Sequence, residues 1–139
     1  MILENNNHSV FALNYHLVLV VKYRRNVIDD IISNRLKEIF EYISVNYNIA
    51  VVEWNHDVDH VYILFKGEPN SVLSKFINAY KSASSRLIKK EYPSIKSKLW
   101  KEYFWSRSFC LITTGDANIE TIDKYLQSHG LKSDGEQSD

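Results

Sequence analysis

Two short stretches of this chain carry side chains able to do covalent or metal chemistry. Asp59-His60-Val61-Tyr62-Ile63-Leu64 offers an imidazole and a phenol two residues apart, and Ile122-Asp123-Lys124-Tyr125-Leu126-Gln127-Ser128-His129 offers a phenol and an imidazole four apart. Imidazole carries protons and is the commonest metal ligand near neutral pH, and a phenol can act as a covalent nucleophile. In a strand, the two-residue period puts His60 and Tyr62 on one face and Val61 and Ile63 on the other. On a helix, a spacing of four puts Tyr125 and His129 on one face. If that helix lies over the strand, all four converge. Each residue alone has a plainer reading, since a histidine on a strand is more often structural and a helical tyrosine is usually a core or boundary residue.

The pattern around these stretches predicts the elements that would position them. Asn14 to Lys22 is a β-branched apolar run suited to a central strand covered on both faces. Ile32, Leu36, Ile39, Phe40 and Ile43 recur at helical spacing, which predicts a helix over 29–46. Ile49 to Trp54 reads as a second strand, and the alternation of Val61, Ile63 and Phe65 with His60, Tyr62 and Leu64 as a third, closed by Gly67 to Asn70. Ser71 is the expected N-cap of a long helix reaching Glu91, with Leu73, Phe76, Ile77, Tyr80, Ser84, Leu87 and Ile88 as its packed stripe. Phe104 to Thr113 is the expected fourth strand, broken by Gly115-Asp116. A last helix starts at Ala117 or Asn118 and runs to Ser128, with Gly130 behind it. This order is α+β, the ferredoxin-like split β-α-β arrangement with helices on one face of the sheet and a further C-terminal helix. One domain over 1–131 is expected, followed by a disordered tail at 132–139.

A chain of 139 residues with 45% hydrophobic content can bury a core without disulfides, and its single cysteine, Cys110, excludes an internal one. No apolar run is long enough to span a bilayer and the start is asparagine-rich, so a cytoplasmic protein without a membrane partner is expected. The zero net charge hides a strong segregation. Residues 1–74 hold six basic and nine acidic residues, 75–107 hold nine basic and two acidic, and 108–139 hold two basic and six acidic. The basic middle, interleaved with Tyr80, Tyr92, Trp100, Tyr103, Phe104 and Trp105, suits nucleic acid, because bases stack on such rings. A solvated helix face is the plainer alternative.

The blocks at 14–25, 59–64, 76–86, 99–100, 105–109 and 122–126 resemble, in order and spacing, the single-tyrosine HUH transposases of the smallest prokaryotic insertion sequences and their REP-associated relatives. The resemblance implies a homodimer that binds single-stranded DNA hairpins at transposon ends. It implies that Tyr125, on the last helix, attacks a phosphodiester to give a 5′-phosphotyrosine that is later rejoined. It further implies a divalent cation, magnesium or manganese, polarising the scissile phosphate, with His60 as the first ligand and the last helix of one subunit completing the site of the other.

The chain departs from the family at two ligand positions. Tyr62 stands where a second histidine is expected, and His129 where a glutamine is. A neutral phenol is a far poorer ligand than imidazole, so His129 could supply the second imidazole beside His60, or His56 or Asp57 could approach. The alternative is a catalytically impaired, domesticated relative that only binds hairpin DNA. A plain ferredoxin-like RNA-binding domain is a third reading, and it lacks its strand signature here. Lys22, Arg24 and Arg25 after the first strand, and Lys81, Arg86, Lys89 and Lys90 on the second helix, are candidate phosphate contacts. Arg107 and Ser108 could line the site or hold a flipped base, and Asp59 could orient His60 or simply end a turn.

Overall fold

The computed structural model describes residues 13–68, 72–113 and 119–129. Strands β1 (Leu13–Val20), β2 (Ala50–His56), β3 (His60–Gly67) and β4 (Cys110–Thr113) form one antiparallel sheet in the order β2-β3-β1-β4. Helix α1 (Asp30–Ser44) connects β1 to β2, α2 (Leu73–Glu91) leads from β3 toward β4, and α3 (Ile119–Gln127) follows β4. β3 is inserted beside β1, between it and β2, which is the split β-α-β layout that the sequence predicts.

The leucine- and valine-rich sequence of β1 suits its central position. Leu17 and Leu19 are buried on one face and Val18 and Val20 on the other, so neither face is left to water. On the Leu17 side, Val61, Ile63 and Phe65 of β3 join Ile32, Leu36, Ile39 and Phe40 of α1 and Phe76, Ile77, Tyr80 and Ile88 of α2 in one core. Phe40 is its hub, with ring centroids of Phe76 and Tyr80 each 5.0 Å away and that of Trp54 5.8 Å away. Two buried polar bonds fix how the helices sit. The Tyr80 hydroxyl donates to the Leu36 carbonyl at 3.0 Å, and the Trp105 indole N–H donates to Ser84 Oγ at 2.9 Å. α1 begins where Asp29 Oδ1 accepts from the Ile32 amide at 2.8 Å.

Most element boundaries fall within two residues of the sequence expectation, with two instructive differences. The first strand ends at Val20 rather than Lys22, because the chain turns sharply through Tyr23 (φ 55°) and Arg24 (φ 53°). The fourth strand is far shorter than Phe104–Thr113. Phe104 and Trp105 are buried, but Trp105 makes only an isolated bridge to Val21, and regular pairing begins at Cys110. The anchoring of the Trp105 ring on Ser84 of α2 accounts for that early register. The Ser71 cap, the Gly115-Asp116 break, the helix start at Ala117 or Asn118, Gly130 and the tail lie outside the described residues. Val72, next to the first residue of α2, makes no side-chain cap bond.

Candidate active site

The sheet face opposite α1 and α2 carries the chemistry. The pairing of Val20 with His60 and of Val18 with both Tyr62 and Cys110 puts these residues in rows on that face. The tight turn from β2 into β3 places Asp59 beside His60, and the Asp59 backbone carbonyl accepts from the Val21 amide at 2.9 Å. The Asp59 side chain is buried and accepts two hydrogen bonds, from His60 Nδ1 at 2.9 Å and from Arg24 Nε at 2.9 Å. Burial alone would raise its pKa, but the bonds from His60 and Arg24 outweigh burial and hold the carboxyl below its ordinary value. Asp59 therefore orients His60 rather than merely closing a turn. Because the carboxylate can only accept, Nδ1 carries the proton in the neutral ring and Nε2 keeps its lone pair for a ligand.

Tyr62, the expected second ligand, has a protein partner for its hydroxyl. Its hydroxyl is hydrogen-bonded to His16 Nδ1, diagonally across from it on β1. Burial, helped by Glu53, raises the phenol above its ordinary pKa, so it stays neutral and a weak donor to metal. His16 is a residue that the sequence reading missed, although the period of two from Val18 and Val20 places it on this face. His56, an alternative ligand, turns instead to Asp30 Oδ1 at 3.0 Å. Among the described residues, one group of three carboxylate or imidazole ligands has its atoms within 4.8 Å of one another, namely Asp57, Asp59 and His60.

α3 and the turn after it bring Tyr125 and His129 together and join them to Ser108. Ser108 Oγ is 3.1 Å from the Tyr125 hydroxyl and 3.1 Å from His129 Nε2. His129 is buried, and its Nδ1 lies 2.9 Å from the Tyr125 backbone carbonyl. A carbonyl only accepts, so in the neutral ring Nδ1 is the donor and Nε2 the acceptor. The direction of the remaining bonds follows. Ser108 donates to Nε2, and its oxygen is left to accept from the Tyr125 hydroxyl. The contacts form two clusters, His60 with Asp59, and Tyr125 with Ser108 and His129. Arg24 links them, since its Nη1 donates to the Leu126 carbonyl at 3.4 Å while its Nε holds Asp59.

The expected phosphate contacts divide in the same way. Arg24 binds Asp59 through Nε and reaches the end of α3 through Nη1. Lys22 is buried, its ammonium 5.5–5.6 Å from the ring centroids of Tyr23, Trp100 and Tyr103. Lys81 Nζ donates to the Arg107 carbonyl at 2.8 Å, and Lys89 Nζ to the Glu102 carbonyl at 3.0 Å. Arg25 is half-buried, while Arg86, Lys90 and Arg107 are exposed. Arg86, Lys89, Lys90 and Lys96 border one surface hollow of about 520 Å³ on α2 and the turn after it.

The comparisons with known proteins agree with this layout. Residues 9–129 match the family described as IS200-like transposase. The ISDra2 transposase TnpA of Deinococcus radiodurans is 34% identical over 119 residues, covering 86% of this chain and 85% of that protein. The transposase for insertion sequence element IS200 of Salmonella typhimurium is 27% identical, covering 94% and 86%. A crystal structure from Deinococcus radiodurans R1, described as that of a transposase, superposes with a TM-score of 0.82 at 27% identity over 94% of this chain and all of that one. A REP-associated tyrosine transposase bound to a REP hairpin shares the fold, with a TM-score of 0.56 at 9% identity over 91% of this chain and 70% of that one. No helix among the described residues is long and apolar enough to cross a membrane.

Proposed function

This chain belongs to the IS200-like transposase family, and we propose that it cuts and rejoins single-stranded DNA at the hairpin ends of its element through Tyr125. The observation that carries this reading is the directed chain of hydrogen bonds from Tyr125 through Ser108 to His129. The Tyr125 oxygen attacks phosphorus and the P–O3′ bond breaks, leaving a 5′-phosphotyrosine and a 3′ oxygen that takes up a proton. The phenolic proton moves to Ser108 as the Ser108 proton moves to His129 Nε2, so the nucleophile is activated without building up free phenolate. Rejoining reverses these transfers and conserves the phosphodiester bond energy. In this reading two copies act as a homodimer, as the resemblance implies.

A divalent cation, magnesium or manganese, fits His60, because Asp59 fixes the tautomer that leaves Nε2 available. Such a cation would polarise the scissile phosphate and stabilise the charge that develops on it. Tyr62 does not fit as its ligand, since the hydroxyl is held by His16 and the phenol stays neutral. That same observation favours the second reading, a relative that binds hairpins and has lost cutting.

The experiment is incubation of the purified protein with a labelled single-stranded hairpin from its own element's end, in magnesium, manganese or EDTA, followed by a denaturing gel. A covalent adduct that depends on metal and disappears in Tyr125→Phe is the expected result. Tight binding with no adduct under any condition would instead leave the binding-only relative.

A further inference from the structure

The turn after β1 and the loop before β4 enclose a pocket of about 300 Å³, lined by residues that include Lys22, Tyr23, Trp100, Lys101, Tyr103 and Arg107. The relay from Tyr125 to His129 uses none of them. Their chemistry is specific, for aromatic faces and cations alternate around one cavity. The Lys101 ammonium lies 4.6 Å from the Trp100 ring centroid, and the buried Lys22 ammonium faces three rings. Trp100 and Tyr103 stack with centroids 6.0 Å apart and planes 25° apart, and Tyr103 is 57% exposed, a flat platform open to solvent.

Two further observations point to a ligand. Trp100 is only 9% exposed, and among the described residues its buried indole N–H has no acceptor. Buried donors are nearly always paired, so an orphan beside this pocket is an exception that marks the place. Both walls are also built from consecutive non-glycine residues in the left-handed region, Tyr23 (φ 55°) with Arg24 (φ 53°), and Lys101 (φ 48°) with Glu102 (φ 64°). Such backbone is disfavoured for residues with a Cβ, persists only where the surrounding structure holds it, and clusters at ligand clamps and active sites.

A ligand that is flat and carries negative charge meets the exposed ring and the cations around it, and a nucleotide is that ligand. The location narrows the choice. Arg107 directly precedes Ser108, which bonds the Tyr125 hydroxyl, and Lys22 lies two residues before Arg24, which bonds the end of α3. We infer that this pocket holds one unpaired nucleobase of single-stranded DNA, next to the phosphate that Tyr125 attacks. The base stacks on the exposed Tyr103 ring, and the adjoining phosphate lies between Lys101 and Arg107. This rests on the reading of Tyr125 as a nucleophile toward a single strand.

The test is equilibrium binding of the full chain, in EDTA, to two fluorescent probes of equal length, a single-stranded dT oligonucleotide and a base-less deoxyribose-phosphate spacer. Wild type should bind the dT probe more tightly. Tyr103→Ala should weaken dT binding roughly ten- to a hundredfold, the range that loss of one stacked base gives, and leave spacer binding unchanged. Equal losses on both probes, or no loss on dT, would overturn the pocket. Wild-type adduct formation is scored separately. An adduct with no base-dependent effect of Tyr103→Ala refutes the pocket alone, whereas base-dependent binding without an adduct refutes the cleavage reading alone.

Discussion

Replacing Ser108 by alanine tests the proton path most directly. Ser108 is exposed and its hydroxyl touches Tyr125 and His129 at 3.1 Å each, so the variant should fold normally and lose only the bridge between them. An ordinary phenol ionises near pH 10, so only about one in a thousand is phenolate at pH 7. A positioned base typically contributes about a hundredfold or more. We therefore expect adduct formation by Ser108→Ala to be slowed about a hundredfold near pH 7, equivalent to about 2.7 kcal/mol in the barrier. Without the relay, the rate should follow the phenolate fraction and rise about tenfold per pH unit. The deficit against wild type should then shrink to about tenfold at pH 8 and close near pH 9. The assay is single-turnover formation of the protein–DNA adduct on a denaturing gel, with hairpin binding in EDTA as the control. A deficit of the same size at every pH would mean that Ser108 only props up the local structure, and no deficit would remove it from the mechanism.

Three further outcomes follow from the same geometry. Asp59→Asn should cost about 1–3 kcal/mol in urea denaturation, because the charge and one of the two acceptor oxygens are lost and Arg24 loses its ion pair. Because the Asp59 pKa is lowered on folding, its stabilising contribution is complete above the ordinary carboxylate pKa and disappears as pH falls through the lower folded value. Wild type should lose stability over that acid range while Asp59→Asn stays flatter, and a wild type that gained stability on acidification would contradict the pairing. Tyr62→Phe should leave the metal concentration needed for cleavage unchanged, since the hydroxyl serves His16, and a tenfold rise in that requirement would restore Tyr62 as a ligand. Phe40→Ala should cost about 3–5 kcal/mol by calorimetry or denaturation, as it empties the hub between the two helices and the sheet, and a loss below about 1 kcal/mol would deny it that place.

What was legible in the sequence was governed by period. The alternation of Val61, Ile63 and Phe65 with His60, Tyr62 and Leu64 gave the correct faces of β3, and the stripe from Phe76 to Ile88 gave the buried side of α2, because both patterns are direct consequences of backbone geometry. The spacing of Tyr125 and His129 likewise gave their adjacency, with Tyr125 on α3 and His129 in the turn after it. What period cannot give is how separate elements meet. Arg24 looks like any surface arginine until Asp59 is found 35 positions away in sequence. Tyr62 looks like a displaced ligand until His16 on the neighbouring strand claims its hydroxyl. The expected run of strand from Phe104 failed for a related reason, since the Trp105 ring finds its partner in Ser84, a tertiary contact that outweighs strand propensity.

Arg24 also explains why the two halves of the site should be sensitive to one another. It spans from the carboxylate that fixes His60 to a backbone carbonyl at the end of the helix bearing Tyr125. Its backbone is held in a left-handed conformation that costs energy for any residue with a Cβ, and it is the ion pair and the Leu126 contact that return something for that cost. Protonating Asp59 would therefore do more than weaken an ion pair. It would release the His60 tautomer and loosen the tether on α3 together, so the acid limb of cleavage and the acid limb of stability should have the same origin. The negative charge that keeps this arrangement intact is the reason a buried carboxylate is tolerated in a face otherwise suited to DNA phosphate: it is neutralised on both oxygens by protein donors, and its cost is met before the substrate arrives.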